Sequence, residues 1–195
     1  MDWLIAREPR FAAALELTGP PPLRRWEEGF APLLRIIMGQ QVSTASAAAI
    51  WARIEAAGLD VPAAILAAGD EDLKAVGMSR GKMRYARALA GAGIEFDALR
   101  VLPDGEVITQ LTAVPGIGRW TAEIYAMFCL GRPDVLASGD LALQEGARGL
   151  FDLPERPREA ELRALAEEWS PWRSVAARAL WAYYRVSTNR EGITP

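Results

Sequence analysis

Apolar residues recur at spacings of three and four along most of this chain, whereas the alternation typical of β-strands is scarce. The pattern therefore predicts an all-α protein. The expected helices are an N-terminal helix that ends before Gly19, a long helix over 32–57, shorter helices over 61–68, 70–76, 79–90, 105–113, 119–130, 141–150 and 157–169, and a final helix from Ser170-Pro171 to Tyr184.

The segment from Leu111 to Phe128 carries the most informative pattern. Apolar stripes at helical spacing lie on both sides of Pro115-Gly116-Ile117-Gly118. Four residues suffice only for a tight hairpin, and glycines there allow positive φ and the close approach of another backbone. The second helix then begins with N–H groups that point outward from Gly116–Arg119, an arrangement that binds anions. The segment predicts a helix-hairpin-helix unit that can grip a phosphate through backbone amides.

The composition restricts the chemistry that the chain can perform. It contains no histidine and one cysteine, Cys129, which excludes histidine-dependent nucleophiles, most zinc sites and a four-cysteine iron–sulfur cluster. No apolar run reaches the length of a membrane span, and the N-terminus has no signal-peptide pattern. We therefore expect a cytoplasmic globular protein, with one domain or two packed lobes. Its catalysis would depend on carboxylates, lysine, hydroxyls or aromatic groups.

The net charge of −3 argues at first against a nucleic-acid partner. Basic residues nevertheless gather on two predicted helices, which carry Arg80, Lys82, Arg84 and Arg87, and Arg173, Arg178 and Arg185. Solvated helix faces are the simpler interpretation of any single one of them. Weak DNA binding that relies on backbone amides is compatible with this charge balance.

The hairpin sequence VPGIGRWTAE resembles the helix-hairpin-helix motif of the DNA glycosylase superfamily, most closely that of the alkylbase (3-methyladenine type II) glycosylases. Four further segments resemble the same family in the same order: IIMGQQVSTASAAAIWARI, VGMSRGKMRYARALA, ASGDLALQEGAR and WSPWRSVAARALWAYY. The resemblance covers about residues 30–185 and implies two helical lobes with a cleft between them. Lobe one would span about 30–130 and lobe two about 1–29 plus 131–195, without an N-terminal β-domain.

Asp140 is the candidate catalytic residue. It follows Ser138-Gly139 and precedes a predicted helix, so a plain helix N-cap is the simpler interpretation of its position alone. The resemblance favours catalysis, because the family places its aspartate at this distance from the hairpin. A fixed carboxylate would stabilise the positive charge that develops on the sugar as an N-glycosidic bond breaks. The rival carboxylate, Asp134, follows Arg132-Pro133 and is typical of a surface turn.

Two tryptophans are the expected base pocket. Trp120 stands where the resemblance places the nucleophilic lysine of glycosylases that also cut the DNA backbone, which implies a monofunctional enzyme that uses water as the acceptor. Cationic alkylated purines such as 3-methyladenine and 7-methylguanine leave readily, and electron-rich rings attract them. Core packing is the alternative for Trp120. We expect Trp181 to lie off the buried face of the final helix, which should comprise Trp172, Val175, Ala176, Ala179 and Tyr183.

The resemblance also implies how double-stranded DNA containing damaged bases would be bound. Gln41 matches the wedge that fills the space left by an extruded base, although the alkylbase enzymes use an apolar residue there. The hairpin contacts would come from Gly116, Ile117, Gly118 and Arg119. A monovalent cation would bind the carbonyls of Thr112, Val114 and Ile117.

We expect no other cofactor, a monomer, and no membrane partner. The alternative function is that of a non-catalytic helix-hairpin-helix DNA-binding protein, in which Asp140 would serve only as a helix cap. The sequence does not rank the alkylated or deaminated bases as substrates.

Overall fold

A computed structural model describes residues 1–188, and every regular element within them is helical, which confirms the all-α prediction. The α-helices of this range are α1 (Asp2–Arg7), α2 (Arg10–Thr18), α3 (Phe30–Gly39), α4 (Thr44–Ala56), α5 (Pro62–Ala67), α6 (Asp70–Ala75), α7 (Arg80–Gly91), α8 (Asp104–Thr112), α9 (Arg119–Phe128), α10 (Leu141–Leu150), α11 (Glu159–Leu165) and α12 (Arg173–Thr188). Short 3-10 turns cover Phe96–Arg100 and Ala166–Trp169. No helix of this range is both long enough and apolar enough to cross a membrane.

The chain divides into two compact units. The hairpin unit comprises Trp26–Leu130, and the aspartate unit comprises Met1–Arg25 together with the described residues from Gly131 onward. Within the hairpin unit, α3 packs against α4, α7 and α9, while α8 packs against α9. Within the aspartate unit, α12 packs against α2 and α10.

Helix α3 is the centre of the hairpin unit. Its sequence, FAPLLRIIMG, is apolar on nearly every side, as expected of a helix surrounded by others. At the edge of this core, the ring of Trp26 stacks on Phe128 with centroids 5.1 Å apart. The Gly29 N–H donates a hydrogen bond of 2.8 Å to the hydroxyl of Tyr125, and burial raises the pKa of that phenol. These contacts attach the start of the unit to α9.

An aromatic cluster forms the core of the aspartate unit. Phe11 of α2 meets Phe151 and Trp169 edge-on, with centroid distances of 5.7 and 5.4 Å. Edge-to-face geometry is favourable for such rings, which bury large apolar areas. The cluster fixes α2 against the segments on either side of α11.

The long helix predicted over 32–57 is wrong, because Gln40–Ser43 separates α3 from α4. Ser43 caps α4, since its hydroxyl accepts a hydrogen bond from the Ser46 N–H at 3.2 Å. Gln41 adopts a left-handed φ of 57°. The cap signal was present in the sequence, but apolar spacing that continues across it concealed the break.

Two other predicted helices differ from the observed ones: the final helix at its two ends, and the N-terminal helix by an interruption. The final helix begins at Arg173 rather than at Ser170-Pro171, and it continues past Tyr184 to Thr188. The Ser170 hydroxyl donates to Asp134 instead of capping the helix. The N-terminal helix is interrupted at Glu8-Pro9, consistent with the missing N–H of proline.

Candidate active site and nucleic-acid interface

Asp140 is the N-cap of α10. Its Oδ1 accepts hydrogen bonds from the N–H groups of Ala142 and Leu143 at 2.9 and 3.0 Å. The same oxygen accepts a hydrogen bond of 3.1 Å from the indole Nε1 of Trp181 on α12. The side chain is 8% exposed. Three donors from two helices therefore fix the orientation of a nearly buried carboxylate, which a plain capping role does not require.

Helix α12 also holds the segment that leads to Asp140. The hydroxyl of Ser174 lies within hydrogen-bond distance of the carbonyls of Arg132 and Val135, at 2.6 and 2.7 Å, and accepts from the Val135 N–H. The Ser174 N–H donates to the carbonyl of Pro133 at 2.9 Å. Residues 132–135 are thus attached to the start of α12, an arrangement that no spacing of residues along the chain indicated.

Asp134 has a structural role. Its two carboxylate oxygens accept 2.9 Å hydrogen bonds from Nε and an Nη of Arg173, and one of them also accepts from the Ser170 hydroxyl at 2.8 Å. It also accepts a weaker hydrogen bond from the backbone N–H of Arg173, at the start of α12. Asp134 lies in a turn at the surface, as predicted, but its contacts with Arg173 and Ser170 were not predicted. These contacts leave Asp140 as the better catalytic candidate.

Trp181 is buried, at 8% exposure, which contradicts the predicted buried face of the final helix. Trp172 precedes α12 and is 42% exposed, whereas Ser174, Ala177 and Leu180 are buried together with Trp181. Ala176 and Ala179 are buried as predicted, whereas Val175 and Tyr183 are only partly buried. The buried face also includes Ser174, Ala177, Leu180 and Trp181, because α10 packs closely against α12. A Cβ added at Gly146 would lie 2.7 Å from the carbonyl oxygen of Leu180.

The hairpin turn joins α8 to α9 and occupies residues 113–118. Gly116 has a φ of 94°, as expected, and a Cβ added there would lie 2.2 Å from Cγ of Tyr85. Gly118 differs from expectation, because its φ is −81° and no heavy atom lies within 4 Å of an added Cβ. Gly116 is therefore required by the fold, whereas Gly118 leaves open space in front of the first turn of α9.

The amino end of α9 lies at this open space. Gly118 is its N-cap, and within the described residues 1–188 no side chain caps it. Arg119 extends from this end and its Nε donates to Glu123 Oε1 at 2.9 Å, while Ile117 is buried. Backbone amides and the helix dipole together make this end of α9 attractive to an anion.

An open groove of about 520 Å³ runs along the hairpin turn. The predicted cation-binding residues Thr112, Val114 and Ile117 all line it. Gln40 and Tyr85, which the sequence analysis did not assign to the site, also line it.

Gln40 connects the hairpin turn to the segment that carries Gln41. Its Nε2 donates to the carbonyl of Gly116 at 3.2 Å and to the hydroxyl of Thr121 at 2.8 Å. Gln41 itself is exposed. The sequence placed both glutamines inside a helix, and the αL conformation at Gln41 was not foreseeable from its residue type.

Trp120 is partly exposed in the first turn of α9. The residues that follow it, from Thr121 to Cys129, are buried. Partial exposure leaves one part of the Trp120 side chain accessible, and core packing remains the alternative for the rest. Trp120 belongs to the hairpin unit, whereas Asp140 and Trp181 meet within the aspartate unit.

Several basic residues of the two predicted clusters are engaged within the protein. Lys82 donates to the carbonyl of Met38, and burial lowers the pKa of its ammonium group. Arg87 pairs with Asp70 at 2.6 Å, and Arg173 pairs with Asp134. Half-buried Arg178 has a pKa lowered by burial and by neighbouring Arg24. Part of each predicted cluster is thus engaged within the protein, while Arg80, Arg84 and Arg185 are exposed.

Solved structures of known function share this fold. The chain is similar to the 3-methyladenine DNA glycosylase of Schizosaccharomyces pombe in complex with abasic DNA, with a TM-score of 0.82, 27% identity, and coverage of 95% of this chain and 94% of that one. It is also similar to a DNA-3-methyladenine glycosidase from Bacillus halodurans, with a TM-score of 0.82, 33% identity, and coverage of 96% and 90%. The fold and the capped aspartate thus define a helix-hairpin-helix DNA glycosylase.

Sequence comparison identifies the family. The family model of HhH-GPD superfamily base excision DNA repair proteins matches residues 34–171, and the chain belongs to this superfamily. Among curated relatives, DNA-3-methyladenine glycosylase 1 of Schizosaccharomyces pombe is 29% identical over 178 residues, which cover 87% of this chain and 78% of that protein.

The burial of Trp181 yields a prediction about stability. Trp181→Ala should lower the free energy of unfolding by about 3–5 kcal/mol, because a large cavity would remain beside α10. Trp181→Phe should cost about 1–2 kcal/mol, since it retains most of the volume but loses the indole hydrogen bond. Denaturant unfolding would measure both. A Trp181→Ala variant as stable as the wild type would contradict the packing of Trp181 beside α10.

Proposed function

We propose that the protein is a monofunctional DNA glycosylase that excises alkylated purines, of the 3-methyladenine and 7-methylguanine class, from double-stranded DNA. The reaction is hydrolysis of the N-glycosidic bond in base excision repair. The observation that carries this proposal is the Asp140 carboxylate, nearly buried and held by three hydrogen bonds at the start of α10. Membership of the superfamily and the 3-methyladenine glycosylases among its relatives support the substrate class.

Asp140 stabilises the transition state electrostatically. Departure of the base leaves positive charge on the sugar, and a fixed carboxylate at low solvent exposure interacts strongly with that charge. The hydrogen bonds to Oδ1 hold the group in place, so little reorganisation is needed during the reaction. A water molecule then bonds to the sugar carbon through an oxygen lone pair, and its extra proton passes to solvent, which leaves a neutral abasic sugar. Because a cationic alkylated purine leaves as a neutral base, no second acid is required.

Trp120 is partly exposed at the start of α9 and would offer aromatic surface to the extruded base, whereas the buried Trp181 would contribute to base recognition within the aspartate unit. Cation–π attraction to an alkylated purine is worth about 0.5–2 kcal/mol for one ring. Trp181 has the additional role of orienting Asp140 through its indole N–H. Trp181→Phe, which retains an aromatic face, should therefore still lose about tenfold in the single-turnover excision rate.

The hairpin holds a DNA phosphate through the amides of Gly116–Arg119 other than that of Ile117, whose N–H donates to the Val114 carbonyl at 3.1 Å. Gln41 enters the duplex where the base has left. A monovalent cation at the carbonyls of Thr112, Val114 and Ile117 would add positive charge beneath that phosphate. These residues line one groove, and carbonyl oxygens suit such ions. If this is correct, DNA should bind more tightly in potassium than in tetramethylammonium salt at equal ionic strength.

We further propose that the protein acts as a monomer on chromosomal DNA, in the cytoplasm of a bacterial-type cell. Fluorescence of a tagged copy should then coincide with the nucleoid. Exclusion of the tagged protein from the nucleoid would contradict this location.

The role of Asp140 gives the central test. Asp140→Asn retains an oxygen that can cap α10, so we expect a loss of stability of at most about 1 kcal/mol. The negative charge is removed, so excision of 7-methylguanine should fall by about two orders of magnitude or more. Single-turnover release of the base and calorimetric melting would measure the two effects.

The same experiment separates the alternatives. Borohydride should trap no covalent adduct of the wild type with DNA, because position 120 carries no amine. Normal excision by Asp140→Asn would refute the assignment of the carboxylate. If the wild type binds DNA but releases no base from any candidate lesion, a non-catalytic DNA-binding function takes its place.

Valine substitutions at Gly116 and at Gly118 of the hairpin turn should have different effects. Gly116→Val should destabilise the hairpin unit by about 2–4 kcal/mol, because it combines an unfavourable φ with a collision against Tyr85. Gly118→Val should fold normally, yet weaken binding to a duplex with an abasic-site analogue by about tenfold or more, since its side chain would occupy the phosphate position. Melting curves and fluorescence anisotropy would test both variants.

Gly105→Val is a suitable control, because no heavy atom lies within 4 Å of its added Cβ and it lies outside the hairpin turn. It should bind DNA as the wild type does. Equal binding by Gly118→Val and Gly105→Val would show that phosphate does not approach the start of α9.

A further inference from the structure

We propose that Gln40 couples the phosphate grip of the hairpin to the placement of the Gln41 wedge. Gln40 would then be a positioning residue for base extrusion, without contacting the reacting atoms. The inference rests on the proposed function, because it assigns a role within DNA binding and base extrusion. It concerns only the hairpin unit, in which the wedge loop (Gln40–Ser43) and the hairpin turn both lie.

The contacts of Gln40 are the first observation. Its amide nitrogen has two donor hydrogens and bonds two acceptors, the Gly116 carbonyl at 3.2 Å and the Thr121 hydroxyl at 2.8 Å. One acceptor lies in the hairpin turn, and the other lies in the first turn of α9. Gln40 therefore contacts both parts of the structure that present amides to a phosphate. Any displacement of the wedge loop along the hairpin would break at least one of these bonds.

Helix α7 connects the hairpin turn to the end of α3, which leads directly into the wedge loop. Lys82 and Tyr85 are three residues apart and therefore lie on one face of the helix. Lys82 donates to the carbonyl of Met38, two residues before Gln40, and Tyr85 packs against Gly116 so closely that a Cβ would not fit. One helix thus holds both the hairpin turn and the segment from which the wedge loop starts.

The conformation of the wedge loop explains why it needs this support. Gln41 has a left-handed φ of 57°, which is unfavourable for a non-glycine residue. Its side chain is exposed, as are Val42 and the first residues of α4, which are small. Without fixed neighbours, the loop could relax to a more common backbone conformation. Gln40 keeps Gln41 at a set position relative to the gripped phosphate, and hence relative to one base pair.

The test compares substrates that differ in the need for extrusion. Gln40→Met preserves chain length but removes both donors. We expect about a tenfold or greater loss of the single-turnover excision rate for 7-methylguanine in a paired duplex. In an unpaired bubble, where no base pair must open, the loss should stay within about threefold. Thr121→Val, which removes one acceptor, should act in the same direction and more weakly.

A matched control distinguishes this role from a general structural one. Gln110→Met makes the same chemical change at an exposed position of α8 and should alter neither rate. In the Gln41→Ala background, Gln40→Met should add little further loss, because its effect requires the wedge. Equal losses on paired and unpaired substrates, or full additivity with Gln41→Ala, would overturn the inference.

A second readout does not depend on excision. Fluorescence of 2-aminopurine at the target position should rise when the wild type binds and extrudes the base, and this rise should be reduced in Gln40→Met. A normal rise in the variant would refute the coupling. Extrusion by a wild type that releases no base would contradict the proposed function while leaving the coupling supported.

Discussion

The convergence of three hydrogen bonds on Asp140 Oδ1 is the constraint on which the aspartate unit depends. Two of the donors belong to α10 and the third to α12, so the oxygen is satisfied only while these helices remain close. Gly146 permits that approach, and the contacts of Ser174 hold the segment before Asp140 in place. The contacts that orient the proposed catalytic carboxylate are therefore also contacts of helix packing, and Trp181 belongs to both.

The proposed role of the hairpin unit is to bind a polyanion with a protein of net charge −3. Backbone amides at the start of α9 would supply the attraction, because several side-chain cations are engaged within the protein. Binding through amides restricts the sequence, because a phosphate can reach the backbone N–H groups only where no side chain blocks them. Gly118 keeps that space open, while Gly116 adopts the conformation that the turn requires beneath Tyr85.

The proposed chemistry follows from what the chain lacks as much as from what it contains. Without histidine, and with tryptophan at position 120, neither a histidine base nor a lysine nucleophile is available at these positions. A single oriented carboxylate suffices when the leaving base is already cationic, because the main remaining barrier is the charge that develops on the sugar. We therefore expect a preference for alkylated purines, because the site contains few side chains that could act as an acid or a base.

The sequence by itself determined the helical class and the hairpin with its glycine at positive φ, since these depend on local spacing and on residue types with narrow conformational preferences. Asp140 became the candidate carboxylate only through the family resemblance, because its local sequence equally predicts a plain helix cap. The sequence did not determine the break at Gln40–Ser43, the role of Asp134 or the burial of Trp181. Each of these depends on partners distant in the chain: Gly116 and Thr121 for Gln40, Arg173 for Asp134, and α10 for Trp181. Helical periodicity describes which side of a helix is apolar, but only the packed structure decides which neighbour meets that side.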